Sequence, residues 1–229
     1  MLKAIGLLIL GTLVLSIPAA LVASLFAPGG DLEKDPTALT IVLAAGLPVE
    51  LVMLATALNF SVRKYRLPWR SLGLLRPQRG GFWSTIGLAV TLVIASFAIV
   101  ASYFGLLGAA GVHPDTDLPE QTYASAGPIV VLAVLSLVFA PIMEEVFFRG
   151  FIFGGLRGRW GVLGAACGSG LLFASAHLGN PGAFYVVPPI AVVGALFAFG
   201  YAHSGSLAAP MLAHFIFNSL SFASGLATS

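Results

Sequence analysis

Long, almost uninterrupted runs of apolar residues constrain the fold of this chain more than any other feature. The hydrocarbon core of a bilayer is about 30 Å thick, so a helix that spans it needs roughly 20 apolar residues. Hydrophobic residues make up 58% of the 229 residues and charged residues only 9%, far below the charged fraction of an ordinary soluble domain. The pattern predicts about seven (six to eight) spans, near residues 4–26, 38–60, 82–110, 128–152, 162–180, 187–202 and 206–224.

Little chain is left between these runs, so residues 1–229 are expected to form a single integral membrane domain. Its predicted fold class is all-α, a polytopic transmembrane helical bundle. The first run is longer than the apolar core of a signal peptide, which favours a retained first helix. The one cysteine, Cys167, has no intrachain partner, so an intrachain disulfide is excluded. The composition implies contact with a lipid bilayer and no nucleic-acid partner.

The charged residues are segregated by loop, and this segregation predicts the orientation of the helices. Two loops, near residues 31–35 and 112–126, hold six of the nine acidic residues. Segment 63–79 holds no acid and six basic residues: Arg63, Lys64, Arg66, Arg70, Arg76 and Arg79. Because basic loops remain in the cytoplasm, the N-terminus is predicted to be cytoplasmic and, with seven spans, the C-terminus external. The basic segment is either a simple anchor or an interfacial helix on the anionic leaflet.

Three acidic residues fall inside predicted spans, where an ionisable group costs at least a few kcal/mol and usually marks a functional site. They are Glu50, Glu144 and Glu145. Helix positions four apart share a face, so Glu145 is expected to form an ion pair with Arg149, while Glu144 points elsewhere and stays available. A structural role is favoured for that ion pair. Glu50 is expected to partner another buried polar group.

Two further pairs repeat the spacing of four residues in later spans. Phe173 and His177 share one helix face, with Phe173 a packing residue or a wall of the site. His214 and Asn218 share a face of the last span. The remaining histidines, one in an acidic loop and one at a helix end, are expected to take no part: His113 and His203.

Residue counting places these motifs near one depth. If spans four and five form a hairpin that turns near residues 159–161, Glu144 and His177 each lie about 24 Å from the turn. On straight helices, His214 and Asn218 lie about 12 and 18 Å in from the same side. We therefore expect a close match in depth for Glu144 and His177, and a somewhat shallower position for the third motif.

A carboxylate, two imidazoles and an amide in a low-dielectric interior have a chemical interpretation. A buried glutamate acts as a general base toward water, while histidine and asparagine donate hydrogen bonds to an oxyanion. Alternatively, the ligand set Glu144, His177 and His214 with one water matches a catalytic zinc site. The sequence holds no HExxH helix, so such ligands come from three separate helices. Zinc and a metal-independent glutamate mechanism both remain open.

The three motifs together resemble those of a known family. EExxxR is present as Glu144 to Arg149, FxxxH as Phe173 to His177, and HxxxN as His214 to Asn218. This set is similar to the CPBP intramembrane metalloproteases, the CAAX prenyl protease and bacteriocin-processing (Abi) group. The resemblance is concentrated in residues 128–224, which we expect to form the catalytic core.

The resemblance implies a role for each motif residue. Glu144 would activate the water with help from His177, and His214 and Asn218 would stabilise the oxyanion. Glu145 and Arg149 would hold the site together. It also implies a multi-pass protein in the plasma membrane of a bacterium or archaeon.

The substrate implied by the resemblance is a peptide or protein, lipidated or not, that reaches the site within the membrane. CAAX-type processing and bacteriocin- or leader-type processing are both compatible with it. Two other classes of function stay open on the residues alone. A non-catalytic immunity or scaffold protein would keep the fold, and a transporter would also bury Glu and His near mid-membrane.

Overall fold

The computed structural model describes residues 2–27, 29–77, 80–179 and 181–228, so Arg79 of the basic segment lies outside the described residues. Within those ranges every regular element is a helix, which confirms the predicted all-α transmembrane bundle. The α-helices are α1 (Leu2–Ala23), α2 (Pro36–Ala44), α3 (Gly46–Leu58), α4 (Phe82–Ala109), α5 (Gln121–Ala124), α6 (Ala126–Val134), α7 (Ala140–Glu144), α8 (Gly154–Ser175), α9 (Ala183–Ser204) and α10 (Ala208–Thr228). The remaining helical elements are three π-helical segments and one 3-10 turn: Asn59–Arg63, Leu135–Phe139, Glu145–Phe153 and Trp69–Leu72.

The seven predicted spans correspond to seven helical stretches, with ends that differ by a few residues. Among the described residues, four stretches are long and apolar enough to cross a bilayer: Pro36–Arg63, Phe82–Ala109, Ala126–Ser175 and Ala183–Ser204. The third of these contains predicted spans four and five together. The N-terminal helix contributes a shorter apolar stretch, Leu10–Ala23, and α10 forms the last segment of the bundle.

The stretch Ala126–Ser175 contains the predicted hairpin. Gly161 has φ 65° and ψ −176°, a conformation that only glycine adopts readily, and it separates two helical runs within α8. The chain reverses there, and the two runs pack side by side: Ser169 Oγ donates a hydrogen bond to Phe148 O at 2.7 Å. The predicted span 162–180 was too long, since α8 ends at Ser175 and residues 176–179 form turns.

Helices α8 and α9 cross at a contact between two glycines. A Cβ atom on Gly170 would lie 2.4 Å from Ala191 O, and one on Gly194 would lie 2.9 Å from the Gly170 Cα atom. Small residues permit this close backbone approach between membrane helices. The crossing brings the Gly194 carbonyl within reach of the EExxxR motif.

The two ends of the bundle carry different charges, as the loops predicted. Lys3, Lys64 and Arg159 line one cavity, so the start of α1, the region after α3 and the hairpin turn share one face, which we call the basic face. At the start of α9, a Cβ atom on Gly182 would lie 2.5 Å from Asp115 O in an acidic loop. The alternation of basic and acidic loops along the sequence therefore matches the ends of the bundle at which these loops lie. The cytoplasmic assignment of the basic face stays a prediction.

The basic segment does not form an interfacial helix in its described part. Its first three residues, 63–65, continue the preceding helix, and the later part contains a 3-10 turn whose last residue, Leu72, is buried. Gly73 follows with φ 80°, and its carbonyl accepts a hydrogen bond from the Leu207 amide at 3.0 Å. A side chain at Gly73 would clash with Tyr201 and Leu207, so glycine is required both for the conformation and for the contact.

The π-helical segment Leu135–Phe139 frees one backbone carbonyl for a contact with another helix. In Leu135–Phe139 the Ala140 amide bonds to Leu135 O, so the next bond of this register would run from residue 141 to Ser136 O. Residue 141 is proline and has no N–H. The Ser136 carbonyl is left without a partner inside its own helix, which is unfavourable in a membrane unless another group donates to it.

Candidate active site

Glu144 and Glu145 lie in the middle of the long stretch Ala126–Ser175, at the junction between α7 and the following π-helical segment. The predicted ion pair is present: Arg149 Nη1 lies 2.8 Å from Glu145 Oε1, and both side chains are fully buried. The Glu145 carboxylate compensates the charge of Arg149 in a region without solvent. The role of this pair in activity stays a proposal.

Arg149 is fixed by three other contacts besides its carboxylate. Its Nη2 atom donates to Gly194 O at 3.3 Å, across the close crossing of α8 and α9. The guanidinium lies 4.3 Å from the centre of the Phe173 ring and 5.4 Å from that of Phe197. Such cation–π contacts gain strength when both groups are desolvated. Phe173 therefore packs in the core against this guanidinium, and its role as a wall of the site stays a prediction.

His214 bridges the two adjacent glutamates. Its Nδ1 atom lies 3.0 Å from Glu145 Oε1, and its Nε2 atom lies 3.7 Å from Glu144 Oε2. Because Glu145 is paired with Arg149 and accepts hydrogen bonds, the hydrogen-bond network assigns the proton of neutral His214 to Nδ1. The Nε2 atom then faces Glu144. Glu145 Oε1 thus binds Arg149 and also orients the His214 ring.

Glu50 is the third acidic side chain of the site. It projects from α3, is 8% exposed, and lies in hydrogen-bonding contact with Glu144, which is also 8% exposed. The expectation that Glu50 partners a buried polar group is thereby met, although the sequence did not identify the partner. In the sequence, Glu50 was indicated only by being an acidic residue inside an apolar span.

The two carboxyl groups line a cavity of about 510 Å³ between α1, α3, the π-helical segment and the end of α8. The other lining groups are mostly apolar, including Met53, Phe147 and Leu172. The Oε2 atoms of Glu50 and Glu144 are buried and accept no hydrogen bond. Polar atoms in this state are costly in an apolar interior, so this cavity is the candidate site for a polar ligand.

His177 lies in the turn after α8 and is half-buried, and its Nδ1 atom lies 3.0 Å from Phe173 O. Its ring lies 4.9 Å from that of Phe173, whereas the hydrogen bonds and ion pairs of the described residues join Glu144 to His214. The expected match in depth between Glu144 and His177 stays a prediction.

Asn218 lies one turn beyond His214, as its spacing predicted. Its Nδ2 atom donates a hydrogen bond to Ser136 O at 2.8 Å, the carbonyl that Pro141 leaves without a helical partner. Asn218 thereby joins α10 to the stretch that carries the glutamates. One of its two amide protons is used in this contact, which leaves the second for a ligand.

The donor side chains do not fit a zinc site in this conformation. Among the residues that the structure describes, no group of three or more His, Cys, Asp or Glu side chains is arranged to hold a metal ion. His214 directs Nδ1 to Glu145, and His177 is engaged with a backbone carbonyl rather than with Glu144. His113 and His203 form no hydrogen bond or ion pair with these glutamates in the described contacts.

Comparisons with known proteins give a family match for the part of the chain that carries the three motifs. Residues 126–220, which include all three motifs, match the family model described as type II CAAX prenyl endopeptidase Rce1-like. The match confirms the resemblance to CPBP membrane peptidases for that part of the chain, within a multi-pass membrane protein.

One relative, from Bacillus subtilis (strain 168), has the name "Putative membrane peptidase YdiL". It is 26% identical to this chain over 145 residues, which cover 61% of this chain and 58% of the relative. The chain thus matches less than two thirds of the relative's length. No solved structure gives a significant match.

Proposed function

We propose that this protein is an intramembrane endopeptidase that hydrolyses a peptide bond within or beside the bilayer. The observation that carries the proposal is the buried Glu144 carboxyl, whose Oε2 atom accepts no hydrogen bond and lies 3.7 Å from His214 Nε2. A general base needs such a free oxygen next to a bound water. The family match over residues 126–220 supports peptide hydrolysis as the reaction.

In the proposed reaction, Glu144 takes a proton from water while the water oxygen adds to the carbonyl carbon of the substrate. The tetrahedral intermediate carries the negative charge on the former carbonyl oxygen. His177 and the second amide proton of Asn218 are proposed donors to this oxyanion. The C–N bond then breaks, and the proton held by Glu144 passes to the leaving amine.

The arrangement around His214 refines the role implied by the family resemblance. With Nδ1–H directed to Glu145, the Nε2 atom of neutral His214 is an acceptor that adjoins Glu144. We propose that His214 Nε2 and Glu144 both take part in transferring the proton from water. His214 then donates a hydrogen bond to the oxyanion only when it is protonated. Glu145 and Arg149 act as positioning residues, because they hold the ring and do not face the cavity.

The substrate is proposed to be a peptide or protein that enters from the membrane, because apolar side chains line most of the cavity at Glu144. CAAX-type processing of a lipidated chain and leader-type processing of an unlipidated one are both compatible with it. Purified protein offered prenylated and unprenylated versions of one peptide would distinguish them by the ratio of kcat/KM.

Glu144→Gln tests the mechanism. It removes the base but keeps the size of the side chain, and we expect peptide cleavage to fall by about 10²- to 10⁴-fold. The matched control is Glu33→Gln in an exposed loop, which should cleave like the parent. Cleavage by Glu144→Gln at the parental rate, with thermal unfolding unchanged, would show that Glu144 is not the base.

A further inference from the structure

A second cavity, of about 850 Å³, opens on the basic face of the bundle and is separate from the one at Glu144. Three cationic side chains line it, contributed by three different parts of the chain: Lys3, Lys64 and Arg159. Lys3 precedes the apolar run of α1, Lys64 follows the π-helical end of α3, and Arg159 lies two residues before the hairpin glycine. These positions are all at the ends of membrane helices, where lipid headgroups lie.

The three cations have no carboxylate partner among the described ion pairs. The one ion pair of a lysine in those ranges is Lys34 with Asp31, in a loop on another part of the molecule. The Lys64 ammonium instead lies 5.2 Å from the Phe60 ring and 5.3 Å from the Tyr65 ring. Like charges gathered around one cavity repel one another, so an anion bound between them is favoured.

The other walls of this cavity combine hydroxyl groups with an apolar surface. Ser61, Ser71 and Tyr65 provide hydroxyl donors, and Ser61 is 6% exposed. Phe60, Leu67 and Phe151 provide apolar surface, next to a helix wall of glycines that includes Gly154 and Gly155. A ligand that suits both parts carries a compact anionic group with several acceptor oxygens and an apolar chain.

We propose that this cavity binds the phosphate headgroup of an anionic phospholipid, with Lys64 and Arg159 at the phosphate and an acyl chain along the apolar wall. Each cation near an anionic lipid surface contributes about 1 kcal/mol, which is about fivefold in affinity. Neutralising two of them should therefore weaken binding about 25-fold. The proposal does not depend on peptidase activity.

Native mass spectrometry of the full-length protein in detergent tests the proposal with defined lipids. We expect the parent to retain phosphatidylglycerol in preference to phosphatidylcholine by at least about tenfold, and the double variant Lys64→Gln/Arg159→Gln to lose most of that preference. The matched control, Arg70→Gln/Arg76→Gln, removes two charges from the same segment outside the cavity lining and should keep it. Equal losses in both double variants would overturn the proposal, because they would indicate general surface attraction.

A third variant keeps all three charges and fills the cavity. A Cβ atom on Gly154 meets only Arg149 O, at 3.9 Å, so Gly154→Leu has room at its base and projects into the cavity. It should lose phosphatidylglycerol as the charge variant does, which keeps the test decisive if Lys64→Gln/Arg159→Gln does not fold. Unchanged retention in folded Gly154→Leu would overturn the proposal.

Inorganic phosphate is the final probe and separates the two sources of the anionic group. If the lipid is the ligand, millimolar phosphate should leave the bound phosphatidylglycerol in place, because the acyl chain contributes to binding. Displacement by phosphate, or saturable binding of phosphate without any lipid preference, would assign the cavity to a free anion and overturn the lipid proposal.

Discussion

The chemistry of the site depends on how its carboxyl groups divide their contacts. Glu145 uses a single oxygen for both Arg149 and His214, at 2.8 and 3.0 Å. Glu144 lies farther from His214, at 3.7 Å, and its other neighbour is Glu50, which lines the same cavity. We propose that Glu50 donates a hydrogen bond that orients Glu144, since one of two adjoining carboxyl groups must carry a proton to donate to the other.

Substitutions of Glu50 test this positioning role. Glu50→Ala removes the hydrogen bond and should lower kcat by about 10- to 100-fold with little change in KM, because small displacements of a reacting group are costly. Glu50→Gln keeps an N–H donor toward Glu144 and should restore kcat to within about threefold of the parent. Steady-state cleavage of one peptide by the parent and both variants provides the comparison.

The control for this series is Glu33→Ala in an exposed loop, together with thermal unfolding of every variant. A kcat of Glu50→Ala equal to that of the parent would show that Glu50 does not contribute to the reaction. If Glu50→Gln is as slow as Glu50→Ala while both are folded, Glu50 transfers a proton and does more than position its neighbour.

At the scale of secondary structure, the site depends on irregularities in the helices. The π-helical segment Leu135–Phe139 frees the carbonyl of Ser136, which accepts from Asn218, and the carbonyl of Phe148 in the later π-helical segment accepts from Ser169. The glycine crossing of α8 and α9 brings Gly194 O to Arg149. π-Helical turns are uncommon and are often found at functional sites. These features bring three helices to the pair of glutamates.

Gly170→Ala tests the importance of the helix crossing. The added methyl group would overlap the backbone of Ala191 and Ala195, so the helices must separate and the Arg149 contact to Gly194 O must lengthen. We expect a loss of about 1–3 kcal/mol in stability, seen as a lower unfolding temperature in detergent, and slower peptide cleavage.

Gly87→Ala in α4 is the matched control, because a Cβ atom there has no neighbour within 4 Å. It should be neutral or slightly stabilising, since alanine favours a helix by up to about 1 kcal/mol over glycine. Equal unfolding temperatures for Gly170→Ala and the parent would show that the helix crossing accommodates the added methyl group, and would contradict this prediction.

At the scale of the whole molecule, the bundle separates a basic face from the acidic loops and places two cavities at different depths. The larger cavity lies at the basic face, and the smaller one lies about mid-way along the stretch Pro36–Arg63, where Glu50 is located. The distribution of charges predicts that the basic face is cytoplasmic.

Thiol labelling of intact cells tests this orientation. In a Cys167→Ser background, Asp117→Cys lies in an acidic loop and should react with a membrane-impermeant reagent from outside. Ser71→Cys, on the basic face, should react only after lysis. Both positions are exposed in the structure, so accessibility to the reagent is comparable. The reverse pattern would invert the orientation of the protein.

The amino-acid sequence determined much of this protein through local rules. Apolar runs of about 20 residues dictate helices that span a bilayer, the charged loops dictate which helix ends share a face, and a spacing of four residues dictates the Glu145–Arg149 ion pair. The rare charges inside the spans also identified the three glutamates of the site. Each of these inferences needs only the neighbouring residues and the solvent around them.

Contacts between distant segments were decided by the tertiary structure alone. The pairing of Glu50 with Glu144 and the position of His214 between two glutamates depend on helix tilt, π-helical register and the close approach of Gly170 and Gly194. Straight-helix counting cannot include these effects, because an error of one helical turn moves a side chain about 5 Å. A hydrogen bond tolerates a few tenths of an ångström, so the partners of the site are determined only when the whole bundle packs.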